Sequence, residues 1–188
     1  MMLRLFALVG LFSFISPVHG ADDLTFPGAD GKDHAPLKVP ADKKGAVLFF
    51  VSPYCPTANK FSTDINRITE AYAAAFSFSV VHSDKDLKLT DVLQHTEMNQ
   101  IKATVLMDAE QKLAKLTGAR ITPEAVVLSA DGKVLYKGRI NDLYLSPTKR
   151  QRKATTRDLE DALDAIRDGK PVAVPMHEAM GCKIGGLE

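Results

Sequence analysis

Residues 45–51 read GAVLFFV, an uninterrupted apolar run with no polar position at which one face could meet water. Within it Ala46–Val51 is rich in Val and Phe, which predicts a central strand buried on both faces. At Pro56 the period changes. Ala58, Phe61, Ile65, Ile68 and Tyr72 fall on one helical stripe, and Pro56 suits the first helical turn, where a missing N–H costs nothing. A buried strand running straight into an amphipathic helix is the constraint that the rest of the chain has to satisfy.

The same alternation continues downstream. Phe76–Val81 reads as a second strand, a helix begins near Thr90, Thr104–Met107 reads as a third strand, and Gln111–Leu116 reads as a short helix ended by Gly118. Ala125–Leu128 and Val134–Ile140 are joined through Asp131-Gly132, a strong hairpin signal. A last helix is expected to open at Thr155 with a Thr155/Asp158 capping box, to bury Leu159, Ala162, Leu163 and Ile166, and to stop at Gly169. Residues 21–44 are polar and turn-rich, with a short edge strand expected at Leu37–Val39. Strand–helix alternation followed by a hairpin predicts an α/β fold with a central mixed sheet and helices on both faces.

Residues 1–20 read MMLRLFALVGLFSFISPVHG, with Arg4 ahead of an apolar Leu5–Ile15 and a small-residue pattern at Val18-His19-Gly20. That is the pattern of a secretory leader cleaved near Gly20, which places residues 21–170 in a periplasmic or secreted domain and 171–188 in a flexible tail. The alternative, a membrane anchor, needs about 20 apolar residues, and this run is broken by Ser13, Ser16 and Pro17, so no stable span is expected. The formal charge of +1 falls to zero when Arg4 is lost, which gives no global pull toward nucleic acid or an anionic membrane. The basic stretch Lys149–Lys153 lacks aromatic interleaving and reads as a solvated connector. His82 and His95 have no metal spacing, and Asp84, Lys85 and Asp86 read as a solvent-facing turn.

Two cysteines in an exported chain permit a disulfide without making a disulfide-built scaffold. Cys55 stands at the strand-to-helix junction in SPYCPTAN. A thiolate there faces the unpaired N–H groups of the first helical turn, which favour the charged, nucleophilic form. The competing reading is a buried, inert thiol that caps the core. Thr122-Pro123, just before the run EAVVL, puts a proline at a strand start, where a cis bond would aim the Thr122 backbone at a neighbouring loop.

The sequence VLFFVSPYCP with its amphipathic helix, followed by TP and by ADGKVLYKGRI, resembles the thioredoxin-like superfamily over about residues 24–170. Within it the chain is most similar to exported peroxiredoxin-like proteins of the alkyl hydroperoxide reductase, thiol-specific antioxidant and redoxin group. The resemblance implies a cis Pro123 packed beside Cys55, with Cys55 as the redox thiol. The subfamily motifs are incomplete. Ala58 and Asn59 stand where C-x-x-C and C-x-x-x-C proteins carry a second cysteine, and Leu48 replaces the motif proline of true peroxiredoxins, although Ser52 keeps the hydroxyl position.

The second thiol, Cys182, lies in PVAVPMHEAMGCKIGGLE. It is expected to resolve Cys55, with Gly181, Gly185 and Gly186 giving the tail mobility. A purely structural disulfide is the bland version of that pairing. Met176, His177, Met180 and Cys182 together with Cys55 form an alternative, soft ligand set suited to Cu(I). The leading expectation is a thiol-dependent oxidoreductase that needs no cofactor and acts on a peroxide or a protein disulfide or thiol, reset by an external thiol reductant. A copper carrier and a redox-silent, protein-binding domain are the rivals.

Overall fold

The computed structural model describes residues 24–188, so the leader reading lies outside the described residues. Two short antiparallel strands come first, β1 (Phe26–Pro27) and β2 (Asp33–His34). The edge strand expected at Leu37–Val39 does not form. Leu37 lies in a turn closed by Lys38 N–H to the Ala35 carbonyl (3.1 Å), and its side chain is buried instead of alternating along a strand.

The apolar run becomes β3 (Gly45–Phe50), buried at every residue. After it come α1 (Pro56–Tyr72), β4 (Phe76–His82), α2 (Leu89–Met98), β5 (Thr104–Met107), α3 (Lys112–Thr117), β6 (Ile121–Thr122) and β7 (Glu124–Leu128). The chain continues through β8 (Val134–Gly138), β9 (Tyr144–Ser146), β10 (Lys149–Arg150), α4 (Asp158–Arg167) and β11 (Cys182–Lys183). The main sheet has the order β5-β4-β3-β7-β8. β3, β4 and β5 are parallel, while β7 is antiparallel to both β3 and β8.

The period-two geometry of β3 divides its side chains between two cores. Val47 and Phe49 pack with the α1 stripe Ala58, Phe61, Ile65, Ile68 and Tyr72 and with Leu159, Ala162 and Leu163 of α4. Leu48 and Phe50 face the other way, toward Leu113 and Ala114 of α3, Phe26, Leu37 and Ile184. Phe49 also stacks on Phe78 of β4, with centroids 6.1 Å apart. Truncating a ring so fully enclosed costs about 3–5 kcal/mol. The sheet is therefore mixed and covered by helices on both faces. Among the described residues, no helix is long and apolar enough to cross a membrane.

Two helix boundaries carry information about the site. Gly118 ends α3 in the left-handed conformation, as its sequence position predicts. α4 starts at Asp158 instead of Thr155, without a capping box, because Asp142 has taken both the hydroxyl and the N–H of Thr155. Arg139 instead grips Asp158 through two bonds of 3.0 and 3.1 Å. The acids Asp158, Glu160 and Asp161 in the first turn sit at the positive end of the helix dipole.

His82, at the end of β4, is buried with neither ring nitrogen partnered, and it meets His95 of α2 edge-to-face at 5.2 Å. Burial, followed by the neighbouring His95, holds its pKa down at about 3. The folded protein therefore keeps His82 neutral, while the unfolded chain protonates it near its ordinary value of about 6.5. The stabilisation is complete above pH ~6.5 and is lost as pH falls toward about 3. Urea midpoints measured against pH should fall in this window, with His82 contributing up to about 1.4 kcal/mol per pH unit, and His82→Leu should remove that part of the slope.

Candidate functional site

Cys55 is the N-cap of α1. Its backbone is extended (φ −94°, ψ 106°), its N–H donates to the Ser52 carbonyl at 3.1 Å, and its sulfur accepts the Ala58 N–H at 3.5 Å. Ala58, where a C-x-x-C protein would place its second thiol, thus serves Cys55 through its backbone. Asn59, the other position lacking a cysteine, braces the loop. Its Nδ2 donates to the Pro53 carbonyl (3.1 Å) and its Oδ1 meets His95 Nε2 (2.9 Å).

The Thr122-Pro123 bond is cis, and Thr122 adjoins Cys55: the thiol donates to the Thr122 carbonyl at 3.0 Å. On the other side of Thr122 runs β11. It pairs antiparallel with β6 so that Cys182 is opposite Thr122 and Lys183 opposite Ile121. Cys182 packs against the core cluster that contains Cys55, and both are free thiols. The two cysteines, far apart in sequence, form one site.

The flexible tail expected from the glycines is replaced by a docked one. Lys137 N–H donates to the Pro175 carbonyl (2.9 Å), and His177 N–H returns to the Lys137 carbonyl (3.0 Å). Ile184 N–H donates to the Arg120 carbonyl (3.0 Å), and its side chain fills the second core. Gln111 Nε2 holds the Ser83 and Gly185 carbonyls at 2.9 and 2.8 Å. The glycines serve close approach here: a side-chain carbon at Gly181 would collide with the Thr122 carbonyl oxygen, and one at Gly138 with the His177 carbonyl oxygen.

Two opposing effects set the charge of Cys55, which is 1% exposed. Burial pushes its thiol up, while the Cys182 thiol, the Ala58 N–H, Thr122 and the Cys182 N–H favour the thiolate and together prevail, so its pKa lies below the ordinary value. Cys182 moves the other way. Burial, then Cys55 and the charge of Asp84, push it up to about 11. The surroundings therefore favour the anion of Cys55 over that of Cys182. A cavity of about 320 Å³ opens beside the two sulfurs, lined also by Tyr54, Asp84, Lys85, Asp86 and Lys183.

The alternative ligand set is divided. Cys55 and Cys182 meet, but His177 lies on the β8 edge, 3.5 Å from Asp158 and against the Tyr136 ring, and Met176 is 65% exposed. Met180 is half-buried. Among the described residues, no three His, Cys, Asp or Glu side chains converge as a metal site. The sequence reading missed Asp84, whose Oδ1 accepts the Gly185 N–H at 2.6 Å instead of facing solvent as part of a simple turn. It also missed the His82–His95 contact. Neither has a local signal, because each depends on elements brought together by the sheet.

The redoxin family model matches residues 20–148. No curated protein sequence matches the chain. An uncharacterized conserved protein from Geobacillus kaustophilus superposes with a TM-score of 0.74 at 21% identity, covering 87% of this chain and 88% of its own. A hypothetical protein from Sinorhizobium meliloti 1021 gives a TM-score of 0.74 at 25% identity, covering 87% and 91%. A secreted Mycobacterium tuberculosis disulfide oxidoreductase homologous to E. coli DsbE gives 0.56 at 18% identity, covering 77% and 97%. These likenesses share the thioredoxin-like fold with this chain.

Site-resolved alkylation followed by mass spectrometry should give Cys55 a titration midpoint below the ordinary thiol value of about 8.5 and Cys182 one well above it. Cys182→Ala should move the Cys55 midpoint up, since it removes the thiol that most favours the Cys55 thiolate. Cys55→Ala should bring Cys182 down from about 11 toward its ordinary value. Identical midpoints for the two cysteines, unmoved by either substitution, would contradict this ordering of the two thiols.

Proposed function

The chain belongs to the redoxin family, and on that premise we propose that it is a thiol-dependent oxidoreductase in which Cys55 attacks and Cys182 resolves. The observation that carries this reading is the β11–β6 strand pair, which sets Cys182 across from Thr122 and beside Cys55. Cys55, as thiolate, attacks a peroxide to give a sulfenic acid, or a protein disulfide to give a mixed disulfide. Cys182 then closes the intramolecular disulfide, and an external thiol reductant resets the pair. A resolving thiol fixed in place gains rate from proximity, which answers the absence of a second cysteine in the Cys55 loop.

We place this chemistry outside the cytoplasm, in the periplasm or after secretion. The leader pattern of residues 1–20 and the secreted M. tuberculosis protein of the same fold both support that placement. The copper reading has weaker support, because His177 would have to leave Asp158 and Tyr136 to join the two sulfurs.

Limiting hydrogen peroxide or a small disulfide should produce one intramolecular Cys55–Cys182 disulfide in the wild type, read by intact and peptide mass spectrometry. Cys182→Ser should stop at a sulfenic acid on Cys55 or overoxidise. Gly181→Val, which drives a side chain into the Thr122 carbonyl, should slow closure by about tenfold or more by misplacing the resolving thiol, with Cys55 still oxidised. Met176→Ala, His177→Ala and Met180→Ala should all close normally. Tight Cu(I) binding that needs both Cys55 and His177, with no disulfide formed, would favour the carrier instead.

A further inference from the structure

The basic stretch that reads in sequence as a solvated connector folds into the β9–β10 hairpin, and its charges are left uncompensated. Residues 143–156 hold Lys149, Arg150, Arg152 and Lys153 and no acid. All four cations are exposed, and among the described residues none of them joins an ion pair. Other cations nearby in the chain are spent: Arg139 on Asp158 at 3.0 Å, Arg157 on Glu160 at 3.2 Å and Arg167 on Asp164 at 3.0 Å. The acids that bracket the hairpin are also occupied. Asp142 accepts from Thr155, Thr156 and Gln151, and Asp158 accepts from Arg139 and Thr156. Like charges held together repel, so this arm keeps a local positive potential on a chain whose charges otherwise nearly cancel.

The arm is fastened at its base and stands beside the head of α1. Gln151 N–H donates to the Leu143 carbonyl at 2.8 Å, and its Nε2 donates to the Asp142 carbonyl at 2.8 Å. The Tyr144 ring lies against Phe61, with centroids 6.1 Å apart, and Asn141 Nδ2 donates to Asp64 at 3.3 Å. Phe61 and Asp64 both belong to α1, whose N-cap is Cys55. Strand direction points the same way. Because β7 is antiparallel to both β3 and β8, the latter two run parallel, and the arm leaves the sheet at the same edge as the Cys55 loop. β8 is two strands from β3, which is roughly 10 Å at the usual strand spacing.

We propose that the β9–β10 arm docks a protein with an acidic surface and steers that protein's disulfide or thiol toward Cys55. Fixed charges of one sign beside a reactive site raise the encounter rate with a partner of the opposite sign, and arginine is enriched where proteins meet. An acidic protein matches the arm better than a bilayer does. A segment that lies in a membrane surface carries an apolar face, whereas the arm exposes one large apolar side chain, Leu145, and turns at Pro147-Thr148. It also matches better than a nucleic acid, because Tyr144, the arm's aromatic ring, is engaged by Phe61 and not free to stack on a base. That the docked protein exchanges with Cys55 rests on the dithiol reading above, while the docking itself does not.

The test has a binding arm and a rate arm, both on the full, reduced protein. For binding, the probe is a dye-labelled peptide whose central serine is flanked by glutamates, so that no sulfur chemistry occurs. Its anisotropy should report binding at about 20 mM salt that weakens about tenfold or more by about 200 mM, and a lysine-flanked peptide should not bind. Changing Lys149, Arg150, Arg152 and Lys153 together to Gln should abolish binding, while exchanging Lys for Arg and Arg for Lys at the same positions should keep it. For rate, the serine is replaced by cysteine in a mixed disulfide with nitrothiobenzoate. The Cys55 sulfur bonds to the peptide sulfur, the peptide–nitrothiobenzoate bond breaks, and its electron pair leaves on the coloured thiolate. At low salt the glutamate-flanked peptide should react about tenfold faster than the lysine-flanked one in the wild type, and the glutamine variant should lose that preference. Uncharged hydroxyethyl disulfide should oxidise both proteins equally. Equal binding of the two serine peptides, or binding that survives in the glutamine variant, would overturn the docking. Binding without the rate preference would overturn the steering. Arm-dependent pelleting with phosphatidylglycerol vesicles, with no capture of the acidic peptide, would reassign the arm to a membrane surface and overturn the protein partner. Failure of hydroxyethyl disulfide to oxidise the wild type would overturn the dithiol reading and the steering with it, and the anisotropy would still decide the docking.

Discussion

Burial of β3 on both faces is the constraint on which the rest of the structure depends. Six consecutive apolar residues with no wet side require helices above and below the sheet, and α1 with α4 on one face and α3 on the other meet that requirement. The parallel pairing of β3 with β4 then brings the carboxyl end of each to the same edge of the sheet. There the Cys55 loop leaves β3 and the Ser83–Asp84 turn leaves β4. Open α/β sheets form their crevices outside the carboxyl ends of the strands, and here Cys55 and Asp84 line one cavity at that edge.

A second layer of organisation comes from the tail. A strand as short as β6 has little stability alone, yet it forms where two things meet: the cis-proline turn on one side and β11 on the other. The tail is held at three places, by β8, by β6 and by the turn after β4, with Ile184 buried between the last two. Several weak attachments in series fix Cys182 more firmly than its glycines suggest, because each glycine permits a backbone contact that a larger residue would block. The cost is steric sealing: Cys55 is nearly inaccessible while the tail is down.

The electrostatics divide the two thiols by environment and not by chemistry. Cys55 receives a helix N-terminal N–H and faces a second thiol, so its anion is favoured despite burial. Cys182 has burial and the Asp84 charge against its anion and no helix terminus in its favour. One side-chain type thus sits in two environments, one that favours its anion and one that opposes it.

Much of this was legible in the sequence because it is local. The apolar run, the change of period at Pro56, the Ala58–Tyr72 stripe, the Asp131-Gly132 hairpin and the stop at Gly118 each depend on neighbours within a few residues, and each appears where the pattern puts it. The thiol at the head of a helix was legible for the same reason. The failures are all non-local. Leu37 alternates like a strand residue but is drawn into the second core, and Thr155 reads as a cap but belongs to Asp142. Gly181, Gly185 and Gly186 signal mobility by composition, yet the first two are needed for close backbone packing against Thr122 and Asp84. Sequence by itself determined the layered α/β architecture and the position of Cys55, because hydrophobic period and helix-terminus chemistry are properties of short segments. Only the tertiary structure decided that Cys182 meets Cys55, that His177 does not, and that Asp84 lines the same cavity, because those relations are set by strand order and by a tail whose path no local pattern encodes.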